Sequence, residues 1–242
     1  DWSKGTAVVV TFKLVVRSIA QRHGLHATFM PKPIFGIAGS GMHLNQSLMK
    51  NGENAFSDPQ SPDELSKECL YYVGGLMNHA RAITAVVNPT VNSYKRLGSG
   101  YEAPVHVAWS AQNRSPLIRI PAKKGPSTRI ELRSPDPSCN PYLALAVCLK
   151  AGLDGIRNKT LPPEPCNRNI YEMTPLEREQ MGIGVLPGSL NDALKELLKD
   201  KVIQEALGEH VLQRFVEAKQ IEWNRYHSRV HLWEIEEYLT KF

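Results

Sequence analysis

Apolar positions change their period several times along the chain, and each change predicts a different element. Phe12, Val15, Val16, Ile19 and Ala20 fall on one stripe of a helix over 12–23, which Gly24 stops. A short strand is expected over 26–30, then a Pro/Gly-rich stretch over 31–41. Residues 42–48 alternate: Met42, Leu44, Gln46 and Leu48 point one way, and His43, Asn45 and Ser47 the other. Ser61-Pro62-Asp63-Glu64 has the form of a capping box with proline at the first helical position. The helix it opens is expected to run to Val87 with Leu65, Cys69, Tyr72, Val73, Leu76, Ala80 and Ile83 inside, ended by Asn88-Pro89.

From Val105 to Ser134 the pattern turns to strands, over 105–109, 117–121 and 128–134. Asn140-Pro141 opens another helix, which Gly152 is expected to close. Residues 158–187 read as loop-rich, and the chain beyond Ser189 as helical with a break at Gly208. Helices at both ends of a strand-rich middle predict an α+β fold rather than a βαβ array.

Composition narrows the function classes. Over 242 residues, 42% hydrophobic and 22% charged is ordinary for a soluble globular chain with a sizeable core. No apolar run approaches the ~18–20 residues of a bilayer span, so no membrane partner is expected. Residues 1–13 lack a basic segment followed by a small-residue cleavage site, so no signal peptide is expected either. Cys69, Cys139, Cys148 and Cys166 have no C-x-x-C spacing, which argues for buried free thiols in a reducing cytoplasm and against a zinc site. The net charge of +5 permits nucleic-acid binding. No Lys/Arg block or basic stripe interleaved with aromatics supports it, and a nucleic-acid partner is not expected. The arginines between Arg96 and Arg133 are spread over strand-like segments, which suits a pocket for small anions.

Four segments carry candidate chemistry. In Thr128–Arg133, period-two geometry sends Ile130 and Leu132 to a core and places Arg129, Glu131 and Arg133 together on the other face. A solvated face with one weak ion pair gives the same pattern. Gly39-Ser40-Gly41-Met42-His43 combines glycines that admit close backbone approach with His43, Asn45 and Ser47 on one strand face, a mixture suited to a metal or phosphate. Lys95-Arg96 precede the glycine-hinged Gly98–Pro104 with its single carboxylate, Glu102, which suits a lid or an ordinary surface connection. Gln112-Asn113-Arg114-Ser115 and Arg119 offer guanidinium forks for phosphoryl oxygens, or for structural ion pairs.

In this order and spacing the segments resemble glutamine synthetase of the short bacterial type I form, from about Thr11 to the C-terminus. His26–Pro33, Asn140–Ala144 and Gly152–Ile156 carry the same resemblance. It implies an α+β catalytic domain with a twisted antiparallel sheet flanked by helices, spanning 1–242, with 189–242 as its helical C-terminal segment. The implied activity is ATP-dependent ligation of ammonium to glutamate through γ-glutamyl phosphate in the cytoplasm. By resemblance, His43 and Glu131 match ligands of the Mg2+ or Mn2+ that bridges the ATP phosphates; Ser47 and Arg129 match nucleotide contacts. Arg114 and Arg119 match the groups on the transferring phosphoryl, with Arg114 also touching nucleotide. Arg96, Arg133 and the Gly39 backbone match the glutamate clamp. Glu102 matches the residue that shields the intermediate and draws a proton from ammonium. Tyr171 aligns with a tyrosine that some relatives adenylylate.

The departures set further expectations. In the family, the carboxylates of the other metal site, one more ligand of the His43/Glu131 metal and a small N-terminal β-domain lie upstream of the matched region. Ala38 stands in place of a usual Asn or Asp, Asn45 where some relatives have histidine, and residues 1–10 do not resemble the family. The expected protein is therefore an N-terminally truncated synthetase domain with an incomplete metal centre. The competing reading is a non-catalytic module that self-associates or binds a full-length glutamine synthetase. It would use Leu232, Trp233, Ile235, Tyr238 and Leu239 of the tail, residues that serve equally as core.

Overall fold

The computed structural model describes residues 2–98, 103–111, 113 and 115–242, the side chains of 2–4 excepted. Helix α1 spans Trp2–Arg22. It begins well before the apolar stripe because residues 2–11 contain no proline to stop it, and a lone glycine costs only ~1 kcal/mol. Gly24 ends it at φ +68°, as the sequence predicts. Of the predicted stripe, Val16 and Ala20 are half-buried, whereas Phe12, Val15 and Ile19 are exposed. Residues 26–30 form no strand: they gain no ladder partner, and the amide of Met30 bonds locally to Thr28 Oγ1 at 3.1 Å.

The alternating stretch yields β1, Leu44–Gln46, followed by the small ladder β2, Met49–Lys50, with β3, Glu53–Asn54. The expected capping box does not open the next helix. Glu64 adopts φ +54°, which turns the chain, and Ser61 Oγ only accepts from the Leu65 amide. Ser66 takes the cap instead, its hydroxyl accepting from the Cys69 amide at 3.0 Å, and α2 runs Lys67–Asn78. A break at His79 separates it from α3, Ala80–Val87, although every residue of the predicted inner stripe is buried. The backbone bonds from the His79 amide to Gly75 and from the Ile83 amide to His79 persist across it. The His79 ring meets Asp200 Oδ2 at 2.6 Å and Asp154 Oδ2 at 3.3 Å.

After α4, Ser93–Arg96, come β4, His106–Val107, β5, Trp109–Ser110, β6, Ile118–Arg119, and β7, Ile130–Leu132. The main sheet has the order β1-β7-β6-β5; its pairs are antiparallel except β5 with β6. Register fixes the division of labour. Leu44, Leu132, Ile118 and Trp109 form one cross-strand row toward the core, and Asn45, Glu131, Arg119 and Ser110 the adjacent row on the other face.

Helix α5, Pro141–Asn158, starts at the Asn140 cap as predicted but runs through Gly152. That glycine is a contact, not a stop: a Cβ there would sit 2.1 Å from Tyr72 Cε2. One turn on, a Cβ at Gly155 would lie 2.6 Å from Gly75 Cα, so α2 and α5 meet backbone to backbone. The loop-rich stretch holds α6, Pro175–Gln180, capped by Thr174 and Glu177, and β8, Gly184–Val185, paired with β4. The helical end comprises α7, Leu190–Leu197, α8, Lys201–Leu207, α9, Glu209–His227, and α10, Leu232–Tyr238, with the predicted break at Gly208. Residues of α7 and α8 join the same buried cluster as α2, α3, α5 and the sheet. In the tail, Leu232 and Leu239 are 76% and 72% exposed and Trp233 61%, so they are not core. All four cysteines are buried and free, as expected. Among the described residues no helix is long and apolar enough to cross a membrane.

Candidate functional site

The polar sheet row is centred on Glu131. Its side chain is only 7% exposed, so its charge must be met by protein partners. Arg119 donates to Oε2 from Nε at 3.0 Å and also from Nη2, His43 Nδ1 lies 2.8 Å from Oε1, and Arg133 Nε lies 3.5 Å from Oε1. Burial pushes the carboxyl's pKa up, but the Arg119 hydrogen bonds and the surrounding cations outweigh it and hold it below the usual range. The face is thus not a solvated one. Burial and the Arg133 charge lower the pKa of His43, with Glu131 opposing them, so its ring favours the neutral, ligating form.

Behind this centre, Arg96 and Arg133 are both buried. Arg96 donates to the Ser134 carbonyl at 2.6 Å and to the Arg133 carbonyl at 3.2 Å. The chain 31–41 folds over Arg96. A Cβ at Gly39 would come within 2.2 Å of the Pro31 carbonyl oxygen and 3.3 Å of Arg96 Cγ, and one at Gly41 within 2.6 Å of Arg96 Nη2. At Gly39, where the neighbour is backbone, only glycine permits that approach. Asn92 fixes the loop through a reciprocal pair with the Lys32 backbone, at 2.8 and 3.0 Å. Asn88, fully buried, donates to the Ser134 carbonyl and to Asp136, setting the acceptor that Arg96 uses. Asn88 is not distinguishable in the sequence, where Asn88-Pro89 reads simply as a helix stop, and Asn92 carries no signal of its own there.

Arg129 Nε donates to Asn45 Oδ1 at 3.0 Å, and Ser47 falls opposite Arg129 when the Gln46–Ile130 register is continued by one residue. The structure therefore brings together His43, Glu131, Arg119, Arg133, Arg96 and Gly39, with Arg129, Asn45 and Ser47 along the same face. Glu102 and Arg114 lie outside the described residues. Tyr171 stands apart from this row, its hydroxyl donating to the Ala103 carbonyl at 2.9 Å.

As chemistry, the arrangement is a cationic surface around one fixed carboxylate and one neutral imidazole. The pair His43 and Glu131 supplies an oxygen and a nitrogen donor side by side, which fits part of the shell of a hard divalent cation whose remaining positions are water or phosphate. Among the described residues no group of three or more His, Cys, Asp or Glu side chains is arranged to hold a metal ion by itself.

Comparison with known proteins gives these positions a context. The model of the glutamine synthetase catalytic-domain family matches residues 6–238, which takes in the second half of the segment 1–10 that the sequence reading left outside the resemblance. Curated glutamine synthetases from Methanosarcina mazei and Thermus thermophilus are 58% and 59% identical over 96% and 97% of the chain. The chain spans about half their length, 52% in each case. Among solved structures, one described as "GmaS/ADP complex-Conformation 1" superposes with TM-score 0.89 at 37% identity, covering 99% of this chain and 55% of that one. Another, described as "Apo GmaS without ligand", gives 0.88 at 38% identity. The four-stranded sheet with its polar row, the helices packed behind it and these matches place the chain in the glutamine synthetase catalytic-domain family.

Proposed function

We propose that these residues carry the nucleotide and glutamate side of a glutamine synthetase site, for the cytoplasmic ligation of ammonium to glutamate at the expense of ATP. The observation that carries the reading is the Glu131 centre, a buried carboxylate held by Arg119, His43 and Arg133 on one sheet row. Arg129 and Ser47 contact nucleotide, Asn45 orienting the former. Arg119, with Arg114, neutralises the transferring phosphoryl group. Arg96 and Arg133 hold glutamate against the Gly39 backbone, and Glu102 takes a proton from ammonium. Phosphoryl transfer asks for such positioning and charge neutralisation more than for covalent help from the protein. Mg2+ or Mn2+, held in part by His43 and Glu131, would supply charge neutralisation at the bridging phosphates. The nucleotide assignment is supported by the ADP complex of a relative that superposes on 99% of the chain.

On this reading His43 and Glu131 are the metal ligands that the described residues contribute, within one catalytic domain. Titration with L-glutamate in the presence of an ATP analogue and Mn2+ tests the reading. Binding that Arg133→Ala weakens at least tenfold supports it, and no glutamate binding refutes the clamp. A second reading, an interaction module that self-associates or docks on a full-length synthetase, is favoured by one observation, the exposure of Leu232, Trp233 and Leu239. Size-exclusion chromatography with and without a full-length relative tests it; no shift counts against it.

A further inference from the structure

The segment 163–170 runs beside the connection from β5 to β6 and is tied to it along its length. The Cys166 amide donates to the Trp109 carbonyl at 2.9 Å, Trp109 Nε1 to the Pro163 carbonyl at 2.6 Å, and Ser110 Oγ to Asn167 Oδ1 at 2.7 Å. Farther along, the Ile170 amide donates to Ser115 Oγ at 3.3 Å. Asn113 joins the two layers with both ends of one amide. Its Nδ2 donates to the Arg168 carbonyl, and its Oδ1 accepts from the Ser115 amide two residues on, at 2.9 Å. The Asn113 backbone amide is itself held by Ser110 Oγ at 3.1 Å. Asparagine suits this place because its side chain reaches its own backbone two residues ahead while keeping a donor free for a neighbour.

The location gives that bridge a consequence. Ser110 and Arg119 are register partners in the row that contains Glu131, so the connection leaves and re-enters the sheet at the phosphoryl side of the site. Asn113 and Ser115 flank Arg114 on either side. We propose that Asn113 is a positioning residue: together with Ser115 it is tied to the 163–170 strap, and so sets where the connection enters β6, and with it Arg119, relative to the Glu131 centre. The proposal rests on the nucleotide reading given above. It deepens that reading by giving a role to a residue that touches no substrate and to a strap that supplies none of the site residues.

The test compares the affinity of the chain for a non-hydrolysable ATP analogue with that for ADP, in Mn2+, alongside hydrogen exchange of peptides over 109–118 and 163–171. In Asn113→Ala the ATP-analogue to ADP affinity ratio is expected to fall about five- to tenfold, the worth of a lost orienting hydrogen bond, with ADP affinity unchanged and exchange raised in both peptides. Ser115→Ala removes one tie and leaves the Asn113 amide in place, so a smaller fall is expected; it also serves if Asn113→Ala does not fold. A parent chain that binds neither nucleotide refutes the underlying reading and the positioning role with it. A parent that prefers the ATP analogue, with variants that keep the same preference, overturns the proposal alone, even if exchange rises, because the clamp would then be packing only.

Discussion

Glu131→Gln changes one atom type and leaves the side chain's shape intact, so its effect measures the charge at the centre of the site. In the parent, a carboxylate that is 7% exposed faces Arg119 at 30% exposure and Arg133 at 5%. Removing one partner of a buried ion pair costs ~3–5 kcal/mol because the cations left behind are desolvated and unmatched. The glutamine carbonyl still accepts from Arg119, retaining about 0.5–1.5 kcal/mol of neutral hydrogen bonding. The expected loss is therefore about 2–4 kcal/mol, equivalent to roughly 5–15 °C in melting temperature for a chain of this size. Urea unfolding of both proteins without metal or nucleotide measures it, provided the slope with denaturant is unchanged. A variant within about 0.5 kcal/mol of the parent, or more stable, would refute the reasoning. It would mean that the arginines strain the fold for function and that Glu131 does not compensate them.

Gly152→Ala should cost about 2–4 kcal/mol in the same assay, since the new methyl group meets the buried Tyr72 ring and one of the two helices must shift; an unchanged midpoint would contradict the packing of α2 on α5. Ser66→Ala should cost about 1–2 kcal/mol through its lost cap and its lost bond to the Ala55 carbonyl, and Ser61→Ala less; the reverse order would restore the capping box read from the sequence. His79 is held by Asp200 and Asp154 strongly enough to raise its pKa despite burial. A raised folded pKa contributes stability that is complete below the unfolded value of about 6.5 and is lost as pH rises through the folded value. His79→Gln should therefore destabilise the chain more at pH 6 than at pH 9, and an equal loss at both would refute the assignment.

What the sequence made legible follows from what each residue has to satisfy. The alternation at Met42–Leu48 and Thr128–Arg133 was readable because one side of each strand must meet a core; the register then sets Arg119 beside Glu131, and His43 reaches the same carboxylate. Local rules failed where a distant partner decided the outcome. Gly152 has the chemistry of a helix stop but is needed inside α5 because Tyr72 occupies the space of its side chain. Ser61-Pro62-Asp63-Glu64 spells a cap, yet the backbone turns at Glu64 and Ser66 takes over. Residues 26–30 have strand composition and no partner to pair with. The roles of Asn88 and Asn113 were hidden for the same reason, since the carbonyls they bind are 46 and 55 positions away in the chain.

The central claim, that the Glu131 centre is the nucleotide–metal half of a synthetase site, is tested most directly by calorimetric titration of the pure chain with an ATP analogue, with and without Mg2+ or Mn2+. Parallel titrations use Glu131→Gln and His43→Ala at a temperature where circular dichroism shows all three proteins folded. The account predicts metal-dependent binding by the parent that both substitutions abolish or weaken at least tenfold. Binding that is indifferent to metal and to both substitutions, or no binding under any condition, would contradict it.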